Sequence, residues 1–389
     1  MTPFDVELAK TEKDIETLRL ICQRDTWDSE KRVRLAYRQF HRASLTGNEF
    51  DFKSVRQTIA GVLRDFGPKE DICLLKSNVD GHFHCLDEVK QDLQMCPMLA
   101  HRYEGRSIIA DLDFQEGRYA QARVALETLI SESRKWDALA RLAHWKGKMG
   151  FPVEADSLYE EAENELTAKE LRAFAWLELQ RGALAISRGQ YDKASLFFQR
   201  AATGFPGHWL TDEHMASLAA AKGDFDDAAA LLRVVVVRTS KPEAKQALGE
   251  LLMSMGKVEE ARAWLDTAAA AFLRSVQEGA VHYYHHLVDF YADTQGQPAE
   301  AIKWARKDVA LRTNFSTQAA LAWALFKSGE IEEGLDWIRA ALSSGVQDGG
   351  IFATAACLFR AAGDATEADR YSHAAAEITP GRHACQMHQ

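Results

Sequence analysis

The feature that most constrains the fold of this chain is a recurring pair of small residues, a turn glycine followed five positions later by alanine or glycine. Successive turn glycines lie 33, 39, 34, 33, 40, 33 and 34 residues apart. In residues 176–201, apolar side chains recur at three- and four-residue steps on both sides of such a turn, which is the period of an α-helix. Each unit is therefore predicted to be two helices joined by a tight turn. The eight pairs are Gly117–Ala122, Gly150–Ala155, Gly189–Ala194, Gly223–Ala228, Gly256–Ala261, Gly296–Ala301, Gly329–Gly334 and Gly363–Ala368.

The packing of such a unit depends on its small residues. Gly182 in the first helix has no side chain, so the second helix, which carries Ala194 and Phe198, is expected to pack closely against it. Two amphipathic helices cannot bury their apolar faces alone, so each unit requires neighbours on both sides. Upstream, Gly47 follows an apolar helix in the same way, and His84 occupies the turn position 33 residues before the first regular turn glycine. The pattern predicts an all-α solenoid of about ten antiparallel helix hairpins.

This period and these small residues resemble the tetratricopeptide repeat. The resemblance covers residues 30–380 and is strongest from Tyr103 onward. The chain departs from the motif at Gly334, which replaces an alanine, and mostly lacks the aromatic residue early in the first helix. The resemblance implies a right-handed superhelix whose concave groove, lined by the first helix of each pair, holds a peptide or a partner helix. The residues that carry it are Gly182, Gly189, Tyr191, Ala194, Phe198 and Ala201 in one unit, Gly249, Gly256, Ala261 and Ala268 in another, and Gly363, Ala368, Ala375 and Pro380 in a third.

The pattern divides the chain into four segments. Residues 1–29 are predicted to form a capping helix and residues 30–102 degenerate hairpins of the same type. Residues 103–380 are the regular array, and residues 381–389 are predicted to be a disordered tail. The 40-residue interval predicts extra residues in the connection 274–280, just before a histidine-rich helix.

Composition and charge limit the class of protein. Only 8 prolines occur, 47% of the residues are hydrophobic, and no apolar run reaches the roughly 18 residues that a membrane-spanning helix needs. The amino terminus lacks the pattern of a secretion signal, so we expect a cytoplasmic protein, or a secreted or periplasmic one if a signal was removed. The six cysteines are irregularly spaced, and we expect reduced thiols. The net charge of −10 argues against nucleic acid or membrane insertion and favours a cationic or neutral partner.

The sequence contains no catalytic motif. There is no glycine-rich phosphate loop, no Gly-x-Ser-x-Gly, no Cys-x-x-Cys and no His-Glu-x-x-His. Nothing indicates an enzyme or a cofactor other than a transition metal. The groove lining assigned from the helical register has more acid than base and is expected to repel a carboxylate. Its members are Arg34, Tyr37, Asp137, His144, Glu213, Ser217, Glu243, Gln246, Glu250, His282, His285 and Asp289.

One cluster stands out, the segment HYYHHLVD at residues 282–289. On a regular helix, four of its side chains fall within an arc of about 100°. Imidazoles and a carboxylate so placed predict a site for zinc, copper or nickel. The alternatives are a polar and aromatic wall of the groove, or a histidine buried between helices. The four candidate ligands are His282, His285, His286 and Asp289.

Three functions agree with these features. The leading one is a non-enzymatic interaction scaffold that binds a peptide, a partner protein or a helix in its groove. A metal-binding or metal-trafficking protein would use the histidine cluster instead. A small-ligand carrier is suggested by aromatic residues, namely Trp176, Tyr283, Trp323 and Phe326. The principal partner contacts are predicted at Tyr283, His285, His286, Asp289, Arg312, Asn314 and Trp323.

Overall fold

The computed structural model describes residues 1–380, which form twenty-one α-helices and no β-strand. Two 3₁₀ turns, Pro97–His101 and Val281–Tyr283, and one π-helical turn, Phe290–Thr294, complete the helical structure. The predicted disordered tail, 381–389, lies outside the described residues. The helices are α1 (Pro3–Arg24), α2 (Ser29–Thr46), α3 (Glu49–Phe66), α4 (Glu70–His82), α5 (Leu86–Met95), α6 (Tyr103–Gln115), α7 (Tyr119–Glu132), α8 (Trp136–Lys148), α9 (Pro152–Asn164), α10 (Leu171–Ser187), α11 (Tyr191–Gly204), α12 (Trp209–Lys222), α13 (Phe225–Thr239), α14 (Pro242–Ser254), α15 (Val258–Gln277), α16 (Tyr284–Asp289), α17 (Pro298–Leu311), α18 (Phe315–Ser328), α19 (Ile331–Ser343), α20 (Gly349–Ala361) and α21 (Ala365–Ile378).

After α1, consecutive helices pair into ten hairpins, from α2–α3 to α20–α21, and each hairpin packs on the next. The prediction of an all-α solenoid of about ten hairpins is therefore confirmed. The leading helix α1 packs on α2, where Ile15 and Leu18 meet Leu35 in a small apolar cluster. Within residues 1–380, no helix has both the length and the apolar composition needed to cross a bilayer.

The small residues of the repeat lie where the two helices of a hairpin approach most closely. A Cβ atom on Gly182 would stand 2.0 Å from Cε1 of Phe198, and one on Gly249 would stand 2.7 Å from Cδ2 of Leu265. Ala194 at the same interface is fully buried. Since no side chain fits at either glycine, the motif glycine of the first helix fixes how deeply the second helix can pack.

The turns between paired helices confirm the repeat register. All eight regular turn glycines have positive φ, between +61° and +89°. Gly47 has a φ of +64°, and His84, at the turn position inferred for the second hairpin, has a φ of +57°. Residues other than glycine seldom adopt this left-handed conformation. The second hairpin therefore makes the same turn as the others, with histidine in place of glycine.

The prediction of a longer connection at 274–280 is wrong. The extra residues extend α15 to 20 residues, and this helix ends only at Gln277. The segment contains no glycine or proline until Gly279, and Ala268 and Phe272 continue the buried stripe at a four-residue step. Since nothing interrupts the helical period, the insertion lengthens a helix instead of a loop.

The prediction of one regular helix over residues 282–289 is also wrong. This segment begins in a 3₁₀ turn, continues as the six-residue helix α16 and passes into the π-helical turn. In the π turn the N–H of Gln295 donates to the carbonyl oxygen of Phe290, five residues earlier. His285, His286 and Asp289 therefore lie in regular α-helix, and only His282, in the 3₁₀ turn, departs from the register assumed for the cluster.

A disulfide connects Cys73 in α4 with Cys96 after α5, and their Cα atoms lie 6.5 Å apart. The expectation of reduced thiols is wrong for this pair. The two cysteines are 23 residues apart in sequence, and this spacing matches no disulfide framework. They meet because α4 and α5 form a hairpin that places the start of one helix beside the end of the other.

The solenoid curves so tightly that one superhelical turn packs directly on the next. Nδ2 of Asn314 donates to the carbonyl oxygen of Gln115 at 2.9 Å, and the N–H of Phe315 donates to the hydroxyl of Tyr119 at 2.9 Å. Similar bonds connect the start of α20 to the end of α8, and the end of α21 to the end of α10. The first of these contacts links the third hairpin, α6–α7, to the ninth, α18–α19. Six hairpins therefore complete one turn.

Some turn glycines also lie at the contact between successive superhelical turns. A Cβ atom on Gly117 would stand 2.6 Å from the carbonyl oxygen of Thr313, and one on Gly150 would stand 2.6 Å from Cγ of Gln347. A Cβ atom on Gly223, later in the chain, would have nothing within 4 Å. The equivalent turn position thus has a left-handed backbone in every hairpin. At Gly117 and Gly150 this position also contacts the next superhelical turn, whereas at Gly223 it does not.

Candidate ligand-binding lumen

The first helices of the hairpins surround a lumen, because six hairpins close one superhelical turn. Its largest space is a cavity of about 920 Å³ with three tryptophans in its wall, named here the tryptophan cavity. Residues of α1, α2, α3, α4, α8, α10, α12 and α14 line it, together with His282 and Tyr283. A second cavity of about 480 Å³, lined mainly by α4, α6, α8 and α10, adjoins it and shares His82, Arg141 and Trp176.

The three tryptophans come from three first helices. Trp136 and Trp209 are the first residues of α8 and α12, and Trp176 lies in the second turn of α10. Trp136 and Trp176 meet edge to face with ring centroids 6.2 Å apart. Nε1 of Trp209 donates to the carbonyl oxygen of Leu45 at 3.0 Å, which fixes its ring against the first hairpin. Such side chains offer a large apolar area with little conformational freedom to lose, which favours binding.

Charges of both signs line the tryptophan cavity. The guanidinium of Arg141 contacts Asp111 (Nε to Oδ1, 3.0 Å) and Asp137 (Nη1 to Oδ2, 2.8 Å). Nζ of Lys241 lies 3.0 Å from Oε1 of Glu243. These pairs neutralise part of the wall, so neither sign dominates. The carboxylates of the wall are Glu7, Glu49, Asp137, Glu170 and Glu243, and its cations are Arg141, Lys169, Arg172 and Lys241.

Several buried polar atoms of this wall have no protein partner. His208 is 4% exposed, and neither of its ring nitrogens forms a hydrogen bond with any residue of 1–380. Oε1 of Glu49 and Oε2 of Glu243 are also buried without a hydrogen bond, although Oε1 of Glu49 lies 3.6 Å from Nε2 of His282. Burial lowers the pKa of His208 to about 4 and raises the pKa of Glu49. Buried polar groups are costly unless they are hydrogen-bonded, so these are the atoms that a ligand in the cavity would satisfy.

A third cavity, of about 490 Å³, opens beside the tryptophan cavity and shares His41, Ser44 and Arg172 with it. Arg34 and Arg38 also line this cavity and no carboxylate does, so it is named here the arginine cavity. It lies between α2 of the first hairpin and the start of α10 in the fifth. The curvature of the solenoid therefore brings two distant first helices to the same space.

The fold is shared with solved structures of low sequence identity. NprR in complex with its cognate peptide NprX has a TM-score of 0.50 and 13% identity, over 81% of this chain and 98% of that one. A tetratricopeptide repeat protein from Parabacteroides merdae has a TM-score of 0.42 and 15% identity, over 66% and 98% of the two chains. The Cut9–Hcn1 hetero-tetramer of the APC/C has a TM-score of 0.42 and 13% identity, over 97% and 92%. The chain has the fold of the tetratricopeptide repeat proteins. No protein-family model matches it, and no characterised protein matches it in sequence.

In this tetratricopeptide solenoid, half of the predicted groove residues line the three cavities. These six are Arg34, Tyr37, Asp137, His144, Glu243 and His282. The other six line none of the three, and they are Glu213, Ser217, Gln246, Glu250, His285 and Asp289. Asp289 is accessible to solvent, but protein atoms surround its carboxylate. The resulting loss of hydration raises the pKa of Asp289 to about 7, and the negative charge of Asp293 contributes a smaller part of this rise.

Three predicted contact residues, Arg312, Asn314 and Trp323, mainly stabilise the solenoid itself. Arg312 is 9% exposed, and its Nη1 donates to Oε1 of Gln115 at 3.3 Å, across the two superhelical turns. Asn314 caps α18 and makes the inter-turn bond described above. Trp323 is 8% exposed, and its Nε1 lies 3.0 Å from the carboxylate of Asp293. These side chains therefore have little surface left for a partner.

Five histidines, His82, His84, His282, His285 and His286, form a cluster at the edge of the tryptophan cavity. The rings of His285 and His286 are 4.0 Å apart, and those of His82 and His282 are 6.1 Å apart. Burial lowers their pKa values, to about 4 for His82 and about 3 for His285, so the rings are neutral at pH 7. Within residues 1–380, no three His, Cys, Asp or Glu side chains are arranged to hold a metal ion. Of the five, His82 and His282 line the tryptophan cavity.

Sequence reasoning missed several lumen residues, including Arg172, His208 and Trp209. A signal was available for Arg172, which precedes Trp176 by four residues and therefore shares its helical face. His208 is the N-cap residue of α12, and Trp209 is its first residue. Their position in the lumen depends on the path of the chain into the helix, which the repeat period does not specify.

Proposed function

We propose that this chain is a non-enzymatic scaffold that holds a peptide segment of a partner protein in its lumen. The observation that carries the proposal is the pair of adjoining cavities, of about 920 and 480 Å³, enclosed by inward-facing first helices. Single small-molecule sites usually measure about 300–1,000 Å³. The two cavities together provide room for several consecutive side chains.

The chemistry of the wall suits a peptide. The tryptophans offer apolar surface for side chains, and the unpartnered imidazole of His208 can both donate and accept a hydrogen bond. Oε1 of Glu49 and Oε2 of Glu243, which are buried without a hydrogen bond, can accept from N–H groups or from a cationic side chain. These groups support a peptide that places apolar residues and hydrogen-bond donors in the tryptophan cavity.

Fold-level analogy gives further support, since NprR, which shares this fold, was solved in complex with its cognate peptide. The analogy concerns the architecture alone. The residues that line the lumen of this chain carry the specific proposal.

A peptide display experiment tests the proposal. Peptides are selected from a random library on the full chain and then measured against Ser44→Trp, which fills the junction of the tryptophan and arginine cavities. We expect the variant to lose about tenfold or more in affinity, equivalent to about 1.4 kcal/mol or more. The matched control is Ser131→Trp on the exposed end of α7, which should bind like the parent. Equal affinity for parent and Ser44→Trp, or a library that yields no binder, contradicts the proposal.

A small-ligand carrier is the second candidate. The volume of the tryptophan cavity alone, about 920 Å³, lies within the range of small-molecule sites, and its wall is aromatic. Native mass spectrometry of the chain purified from its own organism separates the two functions. A stoichiometric small molecule that is released by Ser44→Trp would favour the carrier over the peptide scaffold.

A further inference from the structure

The arginine cavity contains two guanidinium groups that form no ion pair. In the part of the chain that the structure describes, Arg34 and Arg172 form neither a hydrogen bond nor an ion pair. The third arginine, Arg38, is held by Asp14, with Nε 3.3 Å from Oδ2. The chain carries ten more negative than positive charges, so carboxylates are plentiful elsewhere. The absence of carboxylates from the lining is therefore specific to this cavity.

The polar groups of the cavity converge from two helices. Arg34, Tyr37, His41 and Ser44 follow each other on α2 at steps of three, four and three residues, which places them on one face. Arg172 faces them from the second residue of α10, in a different part of the superhelical turn. The hydroxyl of Ser44 has no hydrogen-bond partner within residues 1–380. Two guanidinium groups without an ion pair and the hydroxyl of Ser44 thus border one space of about 490 Å³.

A comparison with Arg141, in the neighbouring wall, shows how unusual Arg172 is. Arg141 contacts two carboxylates. The carboxylate whose charge acts on Arg172 is Glu7, which forms no ion pair with Arg172 and instead accepts a hydrogen bond from Nε2 of His41 at 2.8 Å. Burial lowers the pKa of Arg172, and the negative charge of Glu7 offsets only part of this lowering. A half-buried cation without a partner is unfavourable, and an anion supplied by a ligand removes that cost.

We propose that the arginine cavity binds an oxyanion of the ligand, a carboxylate or a phosphate, between Arg34 and Arg172. The planar guanidinium matches both groups with paired N–H donors, and Ser44 supplies a further donor. The inference rests on the lumen being the binding site proposed above. It adds that the occupant places an anionic group next to the apolar group that enters the tryptophan cavity. At this end of the lumen the proposal departs from the sequence-based expectation that the groove repels a carboxylate.

Small probes test the proposal without knowledge of the natural ligand. N-acetyl-tryptophan carries an indole and a carboxylate, its amide carries the same indole without the charge, and inorganic phosphate carries the charge alone. We expect the full chain to bind N-acetyl-tryptophan about tenfold more tightly than its amide, as measured by calorimetry or ligand-observed NMR. Arg172→Gln and Arg34→Gln should each abolish this preference. Arg19→Gln, which removes an exposed arginine of α1, should leave it intact.

Each outcome decides the question. Phosphate binding that depends on Arg172 while N-acetyl-tryptophan does not bind supports the site and identifies free phosphate as its source. Equal binding by the parent, Arg172→Gln and Arg34→Gln overturns the proposal, as does a failure of both anions to bind. A melting temperature of Arg172→Gln at or above that of the parent excludes unfolding as the cause of any loss. If both anions fail while library-selected peptides still discriminate Ser44→Trp, only the anion site is refuted and the scaffold proposal stands.

Discussion

Two glycine substitutions separate the geometry of a hairpin turn from the packing of superhelical turns. Gly117 and Gly223 have nearly the same backbone conformation, with φ values of +78° and +88°. Alanine in the left-handed region costs about 1–2 kcal/mol at either position. At Gly223 this is the whole effect, because nothing lies within 4 Å of the new Cβ atom. At Gly117 the new Cβ atom would stand 2.6 Å from the backbone oxygen of Thr313, so the next superhelical turn must move away.

The magnitude follows from the contacts that this movement breaks. The bonds from Asn314 to Gln115 and from Phe315 to Tyr119 both cross this interface at 2.9 Å. A net value of about 1 kcal/mol for each gives a loss of about 2 kcal/mol beyond that of the turn itself. Gly117→Ala is therefore predicted to be destabilised by about 3–4 kcal/mol, and Gly223→Ala by about 1–2 kcal/mol.

Urea denaturation measures the two free energies of unfolding, and amide hydrogen exchange locates the change, because a repeat protein opens in parts. In Gly117→Ala, the amide of Phe315 should exchange faster than in the parent, although it lies 198 residues away in sequence. In Gly223→Ala its exchange should be unchanged. Equal destabilisation by the two variants, with no change at Phe315, would refute direct packing of one superhelical turn on the next.

Three further predictions concern stability. Replacing Cys73 and Cys96 by serine should cost about 3 kcal/mol in urea denaturation, because their disulfide closes a loop of 23 residues. Burial lowers the pKa of His214 to about 4, whereas in the unfolded chain it has its ordinary value of about 6.5. The unfolded chain therefore takes up the proton first, and the free energy of unfolding falls as the pH drops from about 6.5 towards about 4. His214→Gln should accordingly reduce the fall in melting temperature between about pH 7 and pH 5. Gly61→Ala in the middle of α3, where a Cβ atom meets nothing within 4 Å, should raise stability by about 0.5–1 kcal/mol.

Matched controls accompany these variants. His373→Gln removes an exposed histidine of α21 and should leave the pH dependence of the melting temperature as in the parent. A reducing agent should destabilise the parent but not the double serine variant. An unchanged pH slope in His214→Gln, or a parent indifferent to reduction, contradicts the corresponding prediction, and a Gly61→Ala variant less stable than the parent contradicts the third.

The local structure of this chain could be read from its sequence because the determinants of a hairpin are close together. The turn glycines and the pairing of Gly182 with Phe198 act within one unit of about 33 residues, and even His84 was placed correctly at a turn. The helix register likewise identified lumen residues such as Arg34 and Glu243. Periodicity therefore predicts which helices face inward.

The curvature could not be read in the same way. It is the sum of small rotations between successive hairpins, and no motif residue records it. Asn314 and Arg312 were therefore expected to contact a partner, whereas they contact the preceding superhelical turn. The arginine cavity has the same origin, since Arg34 and Arg172 line one space only because five hairpins curve around the lumen. The π turn after α16 was missed for a local reason, because no helical template distinguishes it from an α-helix.

Photo-crosslinking shows whether a peptide occupies the lumen. A diazirine-bearing residue replaces Ala173, which lines the tryptophan cavity, and in a second variant replaces Ser131 on the exposed surface of α7. After irradiation with a library-selected peptide, mass spectrometry identifies the crosslinked position. We expect peptide attached at position 173 and none at position 131. Attachment at position 131 with none at position 173 would contradict it.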